Sequence, residues 1–543
     1  MKHELRFKVR GWLDDSDFRE ILKISDYLGR EGGASIFRIN VDKVKFRRMS
    51  LDDVIEVLGS VGATYDDTFI DHLKALLERG FLKASIFFDG RKLIVRFNRY
   101  LGEIYYSKLR GLLLYDKKLK AFVAQPYRYA EVRSSFENLG FLIDDKTGFP
   151  LTTRINGEIT FTGKLRDYQE EALSKWLGNG GRGVIALPTG SGKTVIAIAA
   201  IARLRQRTLI VTFTKEQLHQ WRDMLLRFTC INEGLVGYYY SEEKKLSPIT
   251  LTTYQTAFRY VNRFIPYFTF LIVDEVHHLP ADKFKLIATR LPAPSRMGLS
   301  ATPYREDGRH TELFPLMGGV VFYKTPQELA EKGYLASYSI VTIKVPLKPD
   351  ERRRYIELRR KYRALVNGAD FNQVLEAART GDKKAIEALR IHNEVRMIIQ
   401  KSRSKIEKVK EIVERELRSN SKIIVFAHYV DLAEEIAREV NGFLLTGEVD
   451  TGKRRRLLEE FRRAASGVLV VTTVGDEGLD IPDANVGILV AGTASRRQFI
   501  QRLGRILRPG PNKKATLYEI ISRGTSEEIQ ARRRKTLELE EST

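Results

Sequence analysis

The segment LPTGSGKT, Leu187 to Thr194, lies between the apolar run GVIAL and the helical pattern VIAIAAIARL. In its small-residue turn, Pro188, Thr189, Gly190, Ser191 and Gly192, the two glycines let backbone N–H groups approach phosphate oxygens. Lys193 can reach terminal phosphates, and Thr194 can hold Mg²⁺ beside a helix N-terminus. The strict pattern wants a glycine five residues before Gly192, where Leu187 stands. The strand-before, helix-after context supplies the rest of the signal and predicts a nucleotide site. A second part should end a neighbouring strand, and FTFLIVDEVHH provides it. Asp274 can bind Mg²⁺ through its water, and Glu275 can orient and deprotonate an attacking water. His277 and His278 could be read as metal ligands with Asp274. Adjacent residues on a strand or tight turn point apart, so a structural or coupling role for His277 is expected instead. In QRLGRILRP, 501 to 509, Arg505 and Arg508 are three apart and share a helical face. Such arginines neutralise charge developing on a γ-phosphate and tie hydrolysis to closure of one lobe on another.

These residues need elements to hold them, and the hydrophobic pattern supplies two α/β lobes. From about 160 to 345, the β-branched runs GVIAL (183 to 187), TLIVTF (208 to 213), ITLTTY (249 to 254) and FTFLIVDE (268 to 275) alternate with helical patterns. Buried parallel strands separated by helices predict a sheet covered on both faces. The pattern repeats after about 403 with KIIVFA (422 to 427), GVLVVTT (467 to 473), NVGILVAG (485 to 492) and ATLYEII (515 to 521). Between the lobes, Tyr355, Leu358, Tyr362 and Leu365 share one helical face. Arg352, Arg353, Arg354, Arg359, Arg360, Lys361 and Arg363 cover much of the remainder. Given the net charge, this basic face is expected to meet nucleic acid.

Ahead of the lobes, Ser50-Leu51-Asp52-Asp53 has capping-box spacing, and Phe69, Leu73, Leu76 and Leu77 form a second helical face. Strand-like runs at 83 to 88 and 93 to 97, joined by Asp89-Gly90, follow. Helices before a hairpin fit a winged-helix-like module or a plain α+β unit. Next, Tyr115, Phe122, Tyr127 and Tyr129 interleave with Lys117, Lys118, Lys120 and Arg128. Such a mixture suits stacking on exposed bases with neutralised phosphates, and equally a small sheet with aromatic core. The turn-rich stretch 144 to 158 marks a boundary. The expected division is 1–91, an α+β module; 92–155, an aromatic-basic module; 156–345, lobe 1; 346–402, a helical insert; and 403–543, lobe 2.

The 543 residues imply several domains, and Lys plus Arg at 92 against Asp plus Glu at 69 give a net charge of +23. That excess points to a polyanionic partner, nucleic acid or an anionic membrane. The run Val195 to Leu204 is far short of the roughly 20 residues a spanning helix needs, and the charged amino terminus lacks a secretory pattern. A cytoplasmic, nucleoid-associated protein without membrane contact is expected. The single cysteine, Cys230, excludes an intramolecular disulfide or thiolate cluster, and a packed core position is expected for it.

Read in order, LRDYQ (165 to 169), PTGSGKT (188 to 194), TKEQLHQW (214 to 221), TTYQT (252 to 256), DEVH (274 to 277), SATP (300 to 303), TTVGDEGLDIP (472 to 482) and QRLGRILR (501 to 508) resemble the motif series of superfamily 2 helicases. The resemblance implies two tandem RecA-like P-loop lobes with ATP and Mg²⁺ between them. It implies that Gln169 reads adenine with Arg166 nearby, that Gln501 joins the nucleotide site, and that Gly478 and Asp480 link the lobes and ribose. It implies that Thr302 couples hydrolysis to movement, and that His277, Ser300, Thr253, Gln255 and Thr473 serve coupling or DNA. Within the superfamily the chain is most similar to archaeal XPB-type DNA helicases. Arg305-Glu306-Asp307 resembles their RED element, a strand-separating wedge; the insert resembles their thumb; and the Tyr-rich module resembles their damage-recognition domain. The family implies 3′ to 5′ movement on duplex, forked or bubble DNA in nucleotide excision repair. It also implies that any cutting falls to a separately encoded nuclease. A restriction-type translocase or RNA helicase with the same core stays open at this level, as does an ATP-gated clamp with little turnover. Intact Lys193, Asp274, Glu275, Arg505 and Arg508 argue against the clamp.

Overall fold

The computed structural model describes residues 5–47, 49–78, 82–301, 308–472, 484–490, 514–529 and 531. The chain divides into two compact units, the first holding residues 1–152, 260–269 and 286–294, the second the remainder.

In the first unit, an antiparallel sheet runs Ser25–Glu31, Ala34–Ile39, Arg6–Arg10, Ala63–Thr64. Helices Asp15–Ile24, Val41–Phe46, Leu51–Ser60 and Phe69–Glu78 cover a core that includes Phe7, Phe37, Leu58 and Leu73. The capping box forms: Asp53 N–H donates to Ser50 Oγ at 3.2 Å, and Ser50 N–H donates back to the Asp53 carboxylate at 2.6 Å. The hairpin Lys83–Phe88 and Leu93–Phe97 joins a different, five-stranded sheet, ordered Leu114–Asp116, Ala121–Ala124, Leu93–Phe97, Lys83–Phe88, Leu142–Asp145. The division expected after residue 91 therefore runs through a hairpin, and this hairpin is no wing on the preceding helices. Its partners are strands from the aromatic-basic segment, whose apolar faces it completes.

The second unit carries both lobes. Seven parallel strands lie in the order Val236–Tyr239, Ile249–Thr253, Thr208–Thr212, Phe270–Val273, Ser295–Ser300, Arg182–Ala186, Val320–Tyr323. The central runs are buried along their length, as strands covered on both faces must be. Six more parallel strands follow the order Ser337–Val345, Lys514–Ser522, Val486–Leu489, Lys422–Ala427, Gly467–Thr472, Phe443–Leu445. The predicted two-lobed α/β architecture is thus present. Lobe 1 also carries a ribbon pairing Ile159–Phe161 with Thr229–Ile231. Cys230 lies on its outer side and is exposed, contrary to the core position expected from its type. Alternation along a strand decides this, since Thr229 takes the inward position.

The insert forms three helices, Pro349–Val366, Phe371–Arg379 and Lys383–Gln400. Tyr355 and Leu358 pack with Ile391, Val395 and Ile399, with Tyr362 and Leu365 beside them, on the face the periodicity predicts. No helix among the described residues is long and apolar enough to cross a membrane.

Candidate active site

Strand Arg182–Ala186 delivers the loop 187–192 to the N-terminus of helix Lys193–Leu204. Ile196 to Ala202 are all buried, and the alanines among them let the helix pack closely on the sheet. Gly192 caps this helix with φ at 82°, and a Cβ there would meet Gln169 Nε2 at 2.4 Å. Both the left-handed backbone and the close approach exclude a side chain. Gln169, itself buried, donates from Nε2 to Ser191 O at 2.9 Å and accepts Arg166 N–H at 2.9 Å. Tyr168 O–H donates to the same carbonyl at 2.5 Å, and Ser191 O–H donates to Pro188 O at 2.7 Å. Arg166 is held by the Tyr334 carbonyl at 3.2 Å. The loop is therefore fixed from outside by Tyr168 and Gln169 and from within by Ser191.

Lys193 Nζ donates to the carbonyls of Leu187 at 2.8 Å and Pro188 at 3.2 Å. Burial of its ammonium pulls the pKa down, and the charges of Glu275 and Asp274 pull it back up. Asp274 follows strand Phe270–Val273. Its carboxylate accepts Trp221 Nε1–H at 2.9 Å through one oxygen and Glu275 N–H at 3.0 Å through the other. Burial nonetheless pushes its pKa up, opposed by Trp221, Lys193 and the Glu275 amide. Lys193 and the two carboxylates thus sense one another electrostatically across the ends of two strands that flank Ser295–Ser300.

Glu275 takes a left-handed backbone, φ 47°, uncommon for a non-glycine residue. Tyr254 O–H braces that turn, bonding the carbonyls of Asp274 and Glu275 at 3.0 Å each. His277 Nδ1 lies 3.3 Å from Glu275 Oε2 and 3.2 Å from Ser300 Oγ, so it bridges the end of strand Ser295–Ser300 to the carboxylate. The two histidine rings do not point apart as the sequence suggested; a 3₁₀ turn keeps their centroids 4.2 Å apart. Their partners differ, since His278 stacks on Phe213 at 4.1 Å. Trp221 and Tyr254 were missed by sequence reasoning, although each stands inside a quoted motif, TKEQLHQW and TTYQT. Thr253 is buried and bonds Thr256 Oγ1 at 3.1 Å, while Gln255 is exposed.

The donor set fits nucleotide and metal. A long helix N-terminus, left-handed glycines, an ammonium and one carboxylate at a strand end match phosphate oxygens and a Mg²⁺ that keeps water and phosphate ligands. Among the described residues no group of three His, Cys, Asp or Glu could hold a metal. Thr302, Arg305, Glu306, Asp307, Thr473, Gly478, Asp480, Gln501, Arg505 and Arg508 lie outside the described residues.

Residues 162–305 match the family model of the Type III restriction enzyme res subunit, and 387–541 that of the ERCC3/RAD25/XPB C-terminal helicase. The chain is 37% identical over 454 residues to the DNA 3′-5′ translocase XPB2 of Sulfurisphaera tokodaii, covering 80% of this chain and 100% of that protein. It is 32% identical over 383 residues to the DNA 3′-5′ helicase XPB of Kineococcus radiotolerans, covering 68% of this chain and 62% of that one. With the DNA 3′-5′ helicase XPB of Mycobacterium tuberculosis it shares 30% identity over 420 residues, covering 74% and 68%. The helicase domain of Pyrococcus furiosus Hef is 20% identical with a TM-score of 0.48, over 68% of this chain and 98% of that one. The ordered motifs, the two parallel-sheet lobes and a relative matched along its whole length lead to one conclusion: the chain belongs to the XPB helicase family.

Proposed function

We propose that this chain is a DNA-dependent ATPase that moves along or opens duplex DNA, 3′ to 5′, as its relatives' names describe. The observation that carries the reading is the placing of Lys193, at the helix N-terminus after strand Arg182–Ala186, and of the Asp274–Glu275 pair, after strand Phe270–Val273, at the same end of one sheet, the two strands flanking Ser295–Ser300. Lys193 and the loop amides hold the β- and γ-phosphates, and Thr194 and Asp274 would hold Mg²⁺. The metal supplies charge neutralisation at the phosphates. Glu275 accepts a proton from water as the water oxygen bonds to the γ-phosphorus, and the bridging bond to the β-phosphate breaks. His277 Nδ1, 3.3 Å from the Glu275 carboxylate and 3.2 Å from Ser300 Oγ, is proposed to relate that carboxylate to 300–303, the proposed coupling motif. Arg166 and Gln169 are proposed to read adenine, supported by a Gln169 carbonyl that retains a lone pair beside the one accepting Arg166 N–H.

Arg505, Arg508 and Gln501 are proposed to complete the site from lobe 2, with Gly478 and Asp480 at the ribose and Thr302, Thr253, Gln255 and Thr473 in coupling or DNA contact. Arg305, Glu306 and Asp307 are proposed as the wedge. Arg305→Ala should then reduce strand separation more than ATP hydrolysis, and equal loss of both would make it part of the motor core. Excision repair is the proposed setting, with any strand cutting left to a separate nuclease. The direct test is hydrolysis by Glu275→Gln, expected to fall about 10²–10⁴-fold with nucleotide binding retained. Loss of binding would remove Glu275 from the catalytic role.

A further inference from the structure

In the four-stranded antiparallel sheet of the first unit, Phe7, Val9, Phe37 and Ile39 turn into the core under the helices. Alternation sends Arg6, Lys8 and Arg10 to the opposite face, where all three are exposed. Arg38 of the neighbouring strand lies directly opposite Arg6 in the register, on that same face. Past the end of the strand, Arg30 lies over the Trp12 ring, 5.8 Å from its centroid, and donates to Gly11 O at 3.1 Å. A further cation is thereby held beside Arg10. The two acids on the edge strand Ser25–Glu31 offset only part of this charge. Asp26, opposite Arg38, is taken up by Lys43 at 2.9 Å and by the Asn40 amide at 3.0 Å. Glu31 lies 3.8 Å from Lys8, in an exposed pair that contributes little.

An ordinary solvated surface intersperses charges of both signs, and this module separates them. Strand Arg6–Arg10 carries three cations and no acid. Helix Leu51–Ser60, packed on the other face, carries Asp52, Asp53 and Glu56, all exposed, and no cation. Helix Asp15–Ile24 likewise opens on acids, with Asp14 as its cap and Asp15 and Asp17 in its first turn. The module is therefore polarised, positive on the bare sheet and negative over these helices. Like charges directly opposite one another destabilise a sheet, so setting Arg6 against Arg38 works against the fold, and an anion over the face offsets that. Cations at alternate positions of a strand recur about every 6.8 Å. That repeat is of the order of the separation between successive phosphates of a nucleic-acid strand.

We propose that the bare face of this amino-terminal sheet is a phosphate-binding surface for duplex DNA, in addition to the lobes and the insert. Arg6, Lys8 and Arg10 follow the phosphates of one strand, with Arg30 and Arg38 beside them. The proposal rests on DNA being the polymer of the motor. DNA is favoured over an acidic protein because the cations recur evenly along one strand, and because DNA is what the named relatives act on. Phosphate contacts fix position and carry no base preference, so the surface holds duplex of any sequence. The acidic helices repel the same polymer, which leaves the module one way to face it.

The test measures duplex affinity against salt for the full chain and two triple variants that remove equal charge. One carries Arg6→Gln, Lys8→Gln and Arg10→Gln on the sheet face. The other carries Arg19→Gln, Lys23→Gln and Lys74→Gln, all exposed on helices that cover the other face. The sheet-face variant should bind about tenfold more weakly, and the slope of log affinity against log salt should fall by about two to three, roughly one per phosphate released. The helix variant should keep the wild-type slope. Lys8→Gln alone should lower the slope by about one, which reads the same contact should the triple variant fold poorly. A sheet-face variant with unchanged affinity and slope would overturn the proposal and leave the face to an acidic protein. Equal losses in the two triple variants would overturn it too, by tracing the effect to net charge. A wild-type chain that binds no duplex would instead sink the DNA-motor reading.

Discussion

At the residue scale, Lys193 and Asp274 are charged groups held in a setting that disfavours their charge. Burial lowers the lysine pKa and raises the aspartate's. The proposed catalysis needs both ionised, so kcat/KM, which reports the free chain, should fall on acidification above the ordinary carboxylate range and on alkalinisation below the ordinary lysine range. Trp221→Phe removes a hydrogen bond that favours the Asp274 carboxylate. It should move the acid limb of the kcat/KM profile to higher pH; an unmoved limb would mean that Trp221 does not act through Asp274. The linkage has a definite sign. Raising a carboxyl pKa, or lowering an ammonium pKa, on folding removes stability at neutral pH. Lys193→Ala removes that burial cost but also the cation that opposes the Asp274 charge and bonds the Leu187 and Pro188 carbonyls; it should abolish turnover and leave duplex binding near normal. Loss of turnover and DNA binding together would contradict the site. Lys193, Asp274 and Glu275 were legible because phosphate chemistry fixes residue type and spacing. Trp221 and Tyr254 were not, because their task is to bond one oxygen whose position only the fold reveals.

At the scale of elements, strands written as continuous apolar runs were readable, and the others were not. Strand Ser295–Ser300 reads SRMGLS, yet it is central and buried throughout. Its Arg296 is tolerated because Nη1 donates to Leu316 O at 3.0 Å and its carbonyl accepts Trp176 Nε1–H at 2.9 Å. Lobe 2 carries a second buried charge. Lys405 Nζ bonds both oxygens of Glu527 at 2.8 Å and Val490 O at 2.8 Å, and Glu527 also accepts Ser522 N–H at 2.9 Å. Ser522 O–H reaches Ile399 O at 3.1 Å, so this pair ties the last helix of the insert to the lobe. Lys405→Met leaves a buried carboxylate unpaired and should destabilise by about 3–5 kcal/mol, while Lys405→Met with Glu527→Gln should recover most of it. Denaturant unfolding of both variants checks this, and an equally unstable double variant would make the loss one of packing.

At the scale of the whole molecule, the +23 charge and the family's nucleic-acid chemistry point the same way. On the insert, Arg354 and Lys361 pair with Glu357, whereas Arg352, Arg353, Arg360 and Arg363 are exposed and make no ion pair with a described residue. Such cations suit phosphate contact. Duplex affinity should fall about 10³-fold or more between 50 and 200 mM salt if six or more phosphates are neutralised. A flat response would contradict the nucleic-acid reading of the charge. Domain-level organisation was the least legible in sequence, because strand partners such as Lys83–Phe88 and Leu142–Asp145 lie far apart in the chain. A DNA-driven motor is checked by ATP hydrolysis of the full chain alone, with duplex DNA, with forked DNA and with RNA, against Glu275→Gln. Strong stimulation by forked DNA, little by RNA and none in the variant is the predicted result. Equal stimulation by RNA, or turnover that ignores nucleic acid, would contradict it.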